Sequence, residues 1–144
     1  MDCGVGIDIV SVDRIEALSR RYGRTFLERW FTAREIDYCT RKAVPSRHFA
    51  ARFAAKEAVL KALPGSWDGP LPWRSIEIVN DRQGAPAVNL SGAVHAAVAD
   101  LGEIRVSLSH CDQYATATAI LAVMDSPGVT MGSRVTSTGR INES

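Results

Sequence analysis

Four side chains of this sequence together supply what phosphoryl transfer requires, namely Asp8, Glu57, Lys61 and His110. A site that handles a pyrophosphate needs carboxylates for a hard divalent cation, an ammonium for the phosphate oxygens, and a donor or base near the attacking hydroxyl. Many proteins contain two carboxylates, a lysine and a histidine, so this inventory is not specific. Its meaning depends on the elements that position the four residues.

A long central helix is predicted from Phe49 to Leu63, FAARFAAKEAVLKAL. Alanine and leucine are strong helix formers, Ser46 is the expected N-cap, and Pro64-Gly65 is expected to end the helix. A helical wheel gives one apolar stripe, formed by Phe49, Phe53, Leu60 and Leu63.

Three charged residues of this helix need an explanation. Glu57 and Lys61 stand one turn apart on the flank of the stripe, where they also fit an ordinary helix-stabilising pair worth about 0.2–0.5 kcal/mol. Lys56 falls inside the stripe, where an unpaired ammonium is costly. We expect Lys56 to extend its ammonium to solvent or to find a partner.

Residues 3–10, CGVGIDIV, alternate as a strand does. One face carries Cys3, Val5, Ile7 and Ile9, and the other carries Gly4, Gly6, Asp8 and Val10. The two glycines leave the second face bare, so another backbone or a ligand can approach it closely. Asp is uncommon in strands, and Asp8 is explained equally well by a ligand site or by capping of the following turn.

A first helix is predicted from Asp13 to Tyr22, ending at Gly23. Its outer face carries Arg14, Arg20 and Arg21, and Arg24 follows, so this segment is locally basic. Such a patch suits an acidic protein partner, although a solvated helix face is the default alternative.

The remaining pattern predicts further elements. Thr32 to Glu35 is a capping box that opens a helix to about Arg41, and Ser66 to Trp73 is a loop. The other expected elements are a hairpin of strands 75–79 and 87–90, a helix capped by Ser91 and running to Leu101, a strand over 104–109 that delivers His110, and a last strand over 115–123.

Composition favours one globular domain, because the chain has 144 residues of which 46% are hydrophobic. The net charge of +1 means that bulk charge does not point to a nucleic-acid partner, and none is expected. Three scattered cysteines favour reduced thiols and a cytoplasmic location. Neither a membrane span nor a signal peptide is expected. We assign residues 1–124 to the domain and predict that residues 125–144, poor in apolar residues, are a disordered tail or foreign.

Four segments together resemble one enzyme family: GIDIV at 6–10, RFAAKEAVLKAL at 52–63, GAP at 84–86 and VSLSH at 106–110. In order and spacing they are similar to the holo-acyl-carrier-protein synthases, the small 4′-phosphopantetheinyl transferases. The resemblance implies a compact α+β domain with an antiparallel sheet packed against a long helix. It also implies transfer of 4′-phosphopantetheine from coenzyme A to a serine of an apo acyl carrier protein, with Mg²⁺ as cofactor.

The family's functional positions carry over residue by residue. Asp8 and Glu57 match its metal ligands, and Lys61 matches its phosphate-contacting lysine. The resemblance places the coenzyme A site at Arg52, Lys61, Gly65, Ser66, Pro86, Ser109 and His110. It also implies that Arg14, Arg21 and Arg24 bind the acidic carrier protein. Family members form homotrimers with intersubunit sites, so Asp8 and Glu57 are expected to meet segment 106–110 of a neighbour.

Two departures from the family pattern keep a second hypothesis open. Leu63 to Trp67 replaces a Gly-Thr-Gly-like loop, and Cys111 follows His110 where relatives carry Asp or Thr. The alternative is a coenzyme A or nucleotide-binding module without catalysis. A purely structural role would leave Asp8 unexplained. The sequence assigns no general base and does not identify the carrier protein.

Overall fold

The computed structural model describes residues 3–123 of the chain. Within that range the elements are β1 (Cys3–Ser11), α1 (Val12–Trp30), α2 (Ala33–Thr40), α3 (Pro45–Ala62), β2 (Ile76–Asn80), β3 (Pro86–Leu90), α4 (Gly92–Ala99), β4 (Gly102–His110) and β5 (Tyr114–Val123). A 3-10 turn at Trp73–Ser75 precedes β2. The predicted tail, 125–144, lies outside the described residues.

An antiparallel three-stranded sheet in the order β1-β5-β4 forms the base of the domain. Helix α3 packs across one face of all three strands, while β2 and β3 form a separate hairpin. Alanines at alternate positions of β5, Ala115, Ala117 and Ala119, are buried beneath the helix. Small side chains at this contact let the helix and the sheet approach closely. None of the helices in the described range is both long enough and apolar enough to cross a membrane.

The bare face of β1 receives the backbone of α3. A Cβ atom added to Gly6 would lie 1.8 Å from the carbonyl oxygen of Ala58, and one added to Gly4 would lie 1.8 Å from that of Ala62. Glycine is therefore required for the carboxyl-terminal half of α3 to rest on β1. The sequence left open whether a backbone or a ligand approaches this face. Beside Gly4 and Gly6 it is the backbone of α3.

Helix α3 is buried more extensively than a single apolar stripe predicts. It begins at Pro45, four residues before the predicted start, and eleven of its eighteen residues are buried. Proline suits the first helical turn because its missing N–H has no helical acceptor. The prediction that Ser46 caps the helix is wrong, because Val44 is the N-cap and no side chain caps the helix.

The other boundaries differ modestly from prediction. Gly23 has φ 55° and interrupts α1 where the first helix was expected to end, but a second helical segment continues to Trp30. The capping box of Thr32 and Glu35 is present at the start of α2. Ser91 is the N-cap of α4 without a side-chain hydrogen bond, and that helix ends at Ala99 instead of Leu101.

Lys56 is fully buried and has found a partner. Its Nζ donates to Glu35 Oε1 at 2.7 Å and to the carbonyl oxygens of Trp73 at 2.7 Å and Ile76 at 2.6 Å. Glu35 also accepts from the backbone N–H groups of Thr32 and Ile78. Burial lowers the pKa of Lys56, and the Glu35 carboxylate opposes that effect. This buried pair joins α2, α3 and the start of β2.

Candidate active site

Asp8 and Lys61 form an ion pair where β1 passes under the last turn of α3. Lys61 Nζ donates to Asp8 Oδ1 at 3.0 Å and to the carbonyl oxygen of Ile7 at 3.0 Å. The Asp8 side chain is 19% exposed and that of Lys61 is 52% exposed. Thr116 of β5 donates its hydroxyl to the carbonyl oxygen of Asp8 at 2.9 Å. The carboxylate is therefore fixed, while the ammonium stays accessible to a ligand.

Glu57 lies one helical turn before Lys61 and shares its surroundings. Burial raises the pKa of Glu57, and the nearby Asp8 carboxylate raises it further. The cations of Lys61 and Arg14 act in the opposite direction. Two carboxylates and an ammonium thus meet at one edge of α3, which is the arrangement that a site for a divalent cation and a phosphate requires.

The donor set at this edge fits magnesium. Mg²⁺ is typically bound by one or two carboxylates, with waters and substrate phosphate oxygens completing its shell. Asp8 and Glu57 supply two such carboxylates. Burial and the neighbouring Asp8 carboxylate raise the pKa of Glu57, and a bound cation would offset both effects. Among the described residues no three His, Cys, Asp or Glu side chains form a metal-binding cluster, so a fully protein-ligated site of the zinc type is not formed there.

A second charged group surrounds Arg52, on the other side of α3. Arg52 is 4% exposed, donates to Asn80 Oδ1 at 2.9 Å, and lies over the ring of Tyr38 at 4.1 Å. Its Nε is buried without a hydrogen-bond partner. Lys42 lies over the same Tyr38 ring at 4.4 Å.

His110 ends β4 and contacts His48 of α3, with ring centroids 5.3 Å apart. His48 precedes Glu57 by nine residues, which corresponds to about 13 Å along a helix. Asp8 and His110 are also on the two outer strands of the sheet, separated by β5. Within one chain the structure therefore brings Asp8, Glu57 and Lys61 together, and it places His110 and Arg52 in a different group.

The other residues expected at the coenzyme A site are dispersed. Gly65 and Ser66 are exposed in the loop that follows α3, close to Lys61 in the sequence. Pro86 lines a cavity of about 610 Å³ between β3 and β4. Ser109 is exposed and points away from α3, on the face opposite to that of His110.

The three arginines expected to bind a carrier protein also differ in their surroundings. Arg14 lines a groove of about 430 Å³ along α1. Arg21 lies over the ring of Tyr22, and Arg24 forms an ion pair with Glu28 in a different depression. The groove is both apolar and basic, because its walls are Arg14, Leu18, Tyr22, Thr25, Phe26, Arg29, Trp30 and Phe53.

Comparison with known families identifies the class of protein to which this site belongs. The ACPS profile, described as the 4′-phosphopantetheinyl transferase superfamily, matches residues 4–119. The chain belongs to this superfamily. It is 42% identical over 120 residues to the holo-[acyl-carrier-protein] synthase of Protochlamydia amoebophila (strain UWE25), an overlap covering 83% of this chain and 98% of that protein.

Solved structures give the same assignment. The holo-[acyl-carrier-protein] synthase of Neisseria meningitidis matches with a TM-score of 0.74 and 30% identity, covering 83% of this chain and 97% of that one. That of Helicobacter pylori, solved in complex with coenzyme A, matches with a TM-score of 0.72 and 34% identity, covering 82% and 99%. The family resemblance, the enzyme class and the α+β fold predicted from the sequence are confirmed.

Several residues of the transferase domain that surround the candidate site were not predicted from the sequence. Tyr38, Lys42 and His48 adjoin Arg52 and His110, and Arg29 lines the α1 groove with Arg14. His48 lies four residues before Arg52, a spacing that places both on one helix face. That spacing was the available signal. The contact with Tyr38 requires the packing of α2 against α3 and has no local signature.

Proposed function

We propose that this transferase is a holo-acyl-carrier-protein synthase, which moves the 4′-phosphopantetheine arm of coenzyme A to a serine of an apo acyl carrier protein. The observation that carries the residue-level proposal is the convergence of Asp8, Glu57 and Lys61 at one edge of α3. The other product is adenosine 3′,5′-bisphosphate.

In the proposed step the serine oxygen attacks the phosphorus that bears the pantetheine arm. A new P–O bond forms to serine, and the bond to the bridging pyrophosphate oxygen breaks. Lys61, half exposed, would donate to the phosphate oxygens where negative charge develops. Glu57 would take the serine proton directly or through a water. Its raised pKa supports this role, because a base is most effective when its pKa approaches the working pH.

We propose that Asp8 and Glu57 hold the Mg²⁺ ion implied by the family. When bound, the ion would supply Lewis-acid neutralisation of the pyrophosphate. Asp8 is positioned for this by its bond to Lys61 and by the Thr116 bond to its backbone. Because Lys61 already pairs with Asp8, it would remain beside any phosphate that binds there.

The coenzyme A complex of the Helicobacter pylori relative supports coenzyme A as the substrate of this chain. Arg52 and His110 are proposed contacts for it, together with Gly65, Ser66, Pro86 and Ser109. Since Pro86, Ser109 and His110 lie away from Glu57 within one chain, a complete site requires either an extended ligand or a second copy.

A second copy is favoured by the exposed face of the sheet. Val5, Ile7 and Ile9 of β1 are 60%, 63% and 65% exposed, and Ile120 of β5 is 45% exposed beside Val5. Contiguous apolar surface of this kind marks an interface. We propose a homotrimer in which this face is covered and the active sites lie between subunits.

We propose that the carrier protein docks in the groove along α1. Arg14 and Arg29 provide positive charge, and Leu18, Tyr22 and Trp30 provide an apolar surface. This combination suits an acidic amphipathic helix, because opposite charge orients the partner while apolar contact retains it.

The location is proposed to be cytoplasmic, in agreement with three unpaired cysteines among the described residues.

Intact-mass spectrometry tests the function directly. An apo acyl carrier protein incubated with this protein, coenzyme A and Mg²⁺ is expected to gain the mass of one phosphopantetheine, and to remain unchanged without Mg²⁺ or coenzyme A. Binding of coenzyme A without any mass gain would overturn the transferase and identify the binding module that the altered loop and Cys111 suggested.

A further inference from the structure

The group around Arg52 carries more positive charge than the described residues balance. We define the basic cluster as Lys42, Arg47, His48, Arg52 and His110. Arg47 is paired with Asp112. Arg52 is almost completely buried, and no carboxylate within residues 3–123 forms an ion pair with it. A buried guanidinium with an unpartnered Nε is costly unless an anion completes it.

His48 lies at the centre of the basic cluster. Its ring contacts Tyr38 of α2 and His110 of β4, at centroid distances of 6.2 Å and 5.3 Å. The charged groups that face it are Lys42 after α2, Arg47 and Arg52 on α3, and His110 on β4, with Asp112 engaged by Arg47. Neighbours of His48 on α3 and β4, and Lys42 after α2, therefore present cationic or titratable nitrogens to it.

We infer that His48 takes up a proton when a phosphate monoester binds the basic cluster, which makes it a further substrate-binding residue of this enzyme. The inference rests on the proposed function, because coenzyme A and its adenosine bisphosphate product both carry a phosphate monoester. A dianionic monoester is favoured over a diester, since it offers three oxygens and two charges to a cluster of several donors.

The electrostatics give the direction of the effect. In the free protein, burial and the surrounding His110, Arg52, Lys42 and Arg47 lower the pKa of His48, which favours the neutral ring. A dianion beside the ring reverses the Coulombic contribution and raises that pKa. Binding is then coupled to proton uptake. Between the His48 pKa of the free protein and that of the complex, the affinity falls by up to about tenfold for each unit that the pH rises.

Titration calorimetry with adenosine 3′,5′-bisphosphate at pH 7, in buffers of different ionisation enthalpy, measures this uptake. The His48→Phe variant keeps an aromatic ring between Tyr38 and His110 but cannot titrate. We expect a smaller proton uptake in His48→Phe than in wild type, and a flatter dependence of the dissociation constant on pH. Because His110 contacts His48, the resonance of each ring assigns the difference to one of them. His95→Gln, on the exposed surface of α4, is the matched control.

Imidazole resonances of the wild-type protein provide a test that needs no folded variant. The His48 signal is expected to titrate at a higher pH with the bisphosphate than without it. Equal proton uptake in wild type and His48→Phe, or an unshifted His48 resonance in the complex, would overturn the inference while leaving transfer of phosphopantetheine intact. If wild type binds neither the bisphosphate nor coenzyme A, the proposed function fails together with the inference.

Discussion

Asp8 and Lys61, 53 positions apart in the sequence, are joined by a 3.0 Å ion pair that connects strand β1 to the end of helix α3. The pair places an ammonium between the backbone of β1 and the neighbourhood of Glu57. The Lys61 side chain is 52% exposed, so the ion pair contributes little to stability, at most about 1 kcal/mol. The proposed role of the Lys61 ammonium is to neutralise the negative charge of a bound pyrophosphate.

Replacing Glu57 by glutamine is expected to lower transfer to a carrier protein by at least about 100-fold. Glutamine has nearly the same shape but neither binds Mg²⁺ as a carboxylate does nor accepts the serine proton. The measurement is the rate of mass gain of the carrier protein. Asp100→Asn, at the exposed end of α4, is the control. Full activity of Glu57→Gln would remove Glu57 from the site.

The same variant is expected to melt at the wild-type temperature or above it. The raised pKa of Glu57 means that the folded chain binds this proton more tightly than the unfolded chain does. Its contribution to stability is therefore greatest at low pH and is lost as the pH rises through the raised pKa. A neutral side chain removes that loss, whereas a large drop in melting temperature would indicate a structural role.

Lys61→Met is expected to raise the pKa of Glu57 in the metal-free protein. Burial and Asp8 raise that pKa and Lys61 lowers it, so removing the ammonium should move the titration of the Glu57 carboxyl to higher pH. Carboxyl resonances followed by NMR in the presence of a chelator measure the shift. Arg34→Gln, at an exposed position of α2, should leave the titration unchanged. The same Glu57 titration in wild type and Lys61→Met would show that the ammonium does not act on this carboxyl.

Lys56→Met is expected to destabilise the domain by about 3–5 kcal/mol, because it leaves the Glu35 carboxylate buried without a cation. Urea denaturation measures the change in the free energy of unfolding. Adding Glu35→Gln should recover part of the loss. The exposed pair gives the comparison, since Lys61→Met should cost less than about 1 kcal/mol. Similar values for the two lysine variants would contradict the difference in burial.

Gly6→Ala is expected to cost at least about 3 kcal/mol of stability, because the added methyl group would meet the carbonyl oxygen of Ala58 at 1.8 Å. Separation of α3 from β1 would also move Glu57 away from Asp8, so activity should fall in the protein that remains folded. Cys3→Ala, at an exposed position of the same strand, is the control. Wild-type thermal stability in Gly6→Ala would disprove the close approach.

Ile9→Glu is expected to disrupt the proposed trimer, because it places a carboxylate on the exposed apolar face of the sheet. Light scattering coupled to size exclusion measures the assembly, and the transfer assay measures its consequence. Ile9→Val retains the apolar surface and should stay assembled and active. A wild-type protein that is monomeric and fully active would refute intersubunit active sites.

Local patterns were sufficient for most elements of the fold. The capping box at Thr32, the alternation in 3–10 and 104–109, and the helix formers between Phe49 and Leu63 each depend on residues a few positions apart. The errors lie at helix ends, where competing caps differ little in free energy. Pro45 starts α3 in place of the expected cap, and α1 resumes after Gly23 because Phe26 and Trp30 gain burial or partial burial against the core.

By itself, the sequence determined the family and the chemical inventory, since the types and order of Asp8, Glu57 and Lys61 are read directly along the chain. Only the tertiary structure decided which side chains meet. Gly4 and Gly6 admit the backbone of α3, which brings Glu57 toward Asp8, while the packing of α2 and β4 against the other part of α3 groups His48 with His110. Such long-range contacts depend on shape complementarity between distant segments, which short-range sequence periodicity does not encode.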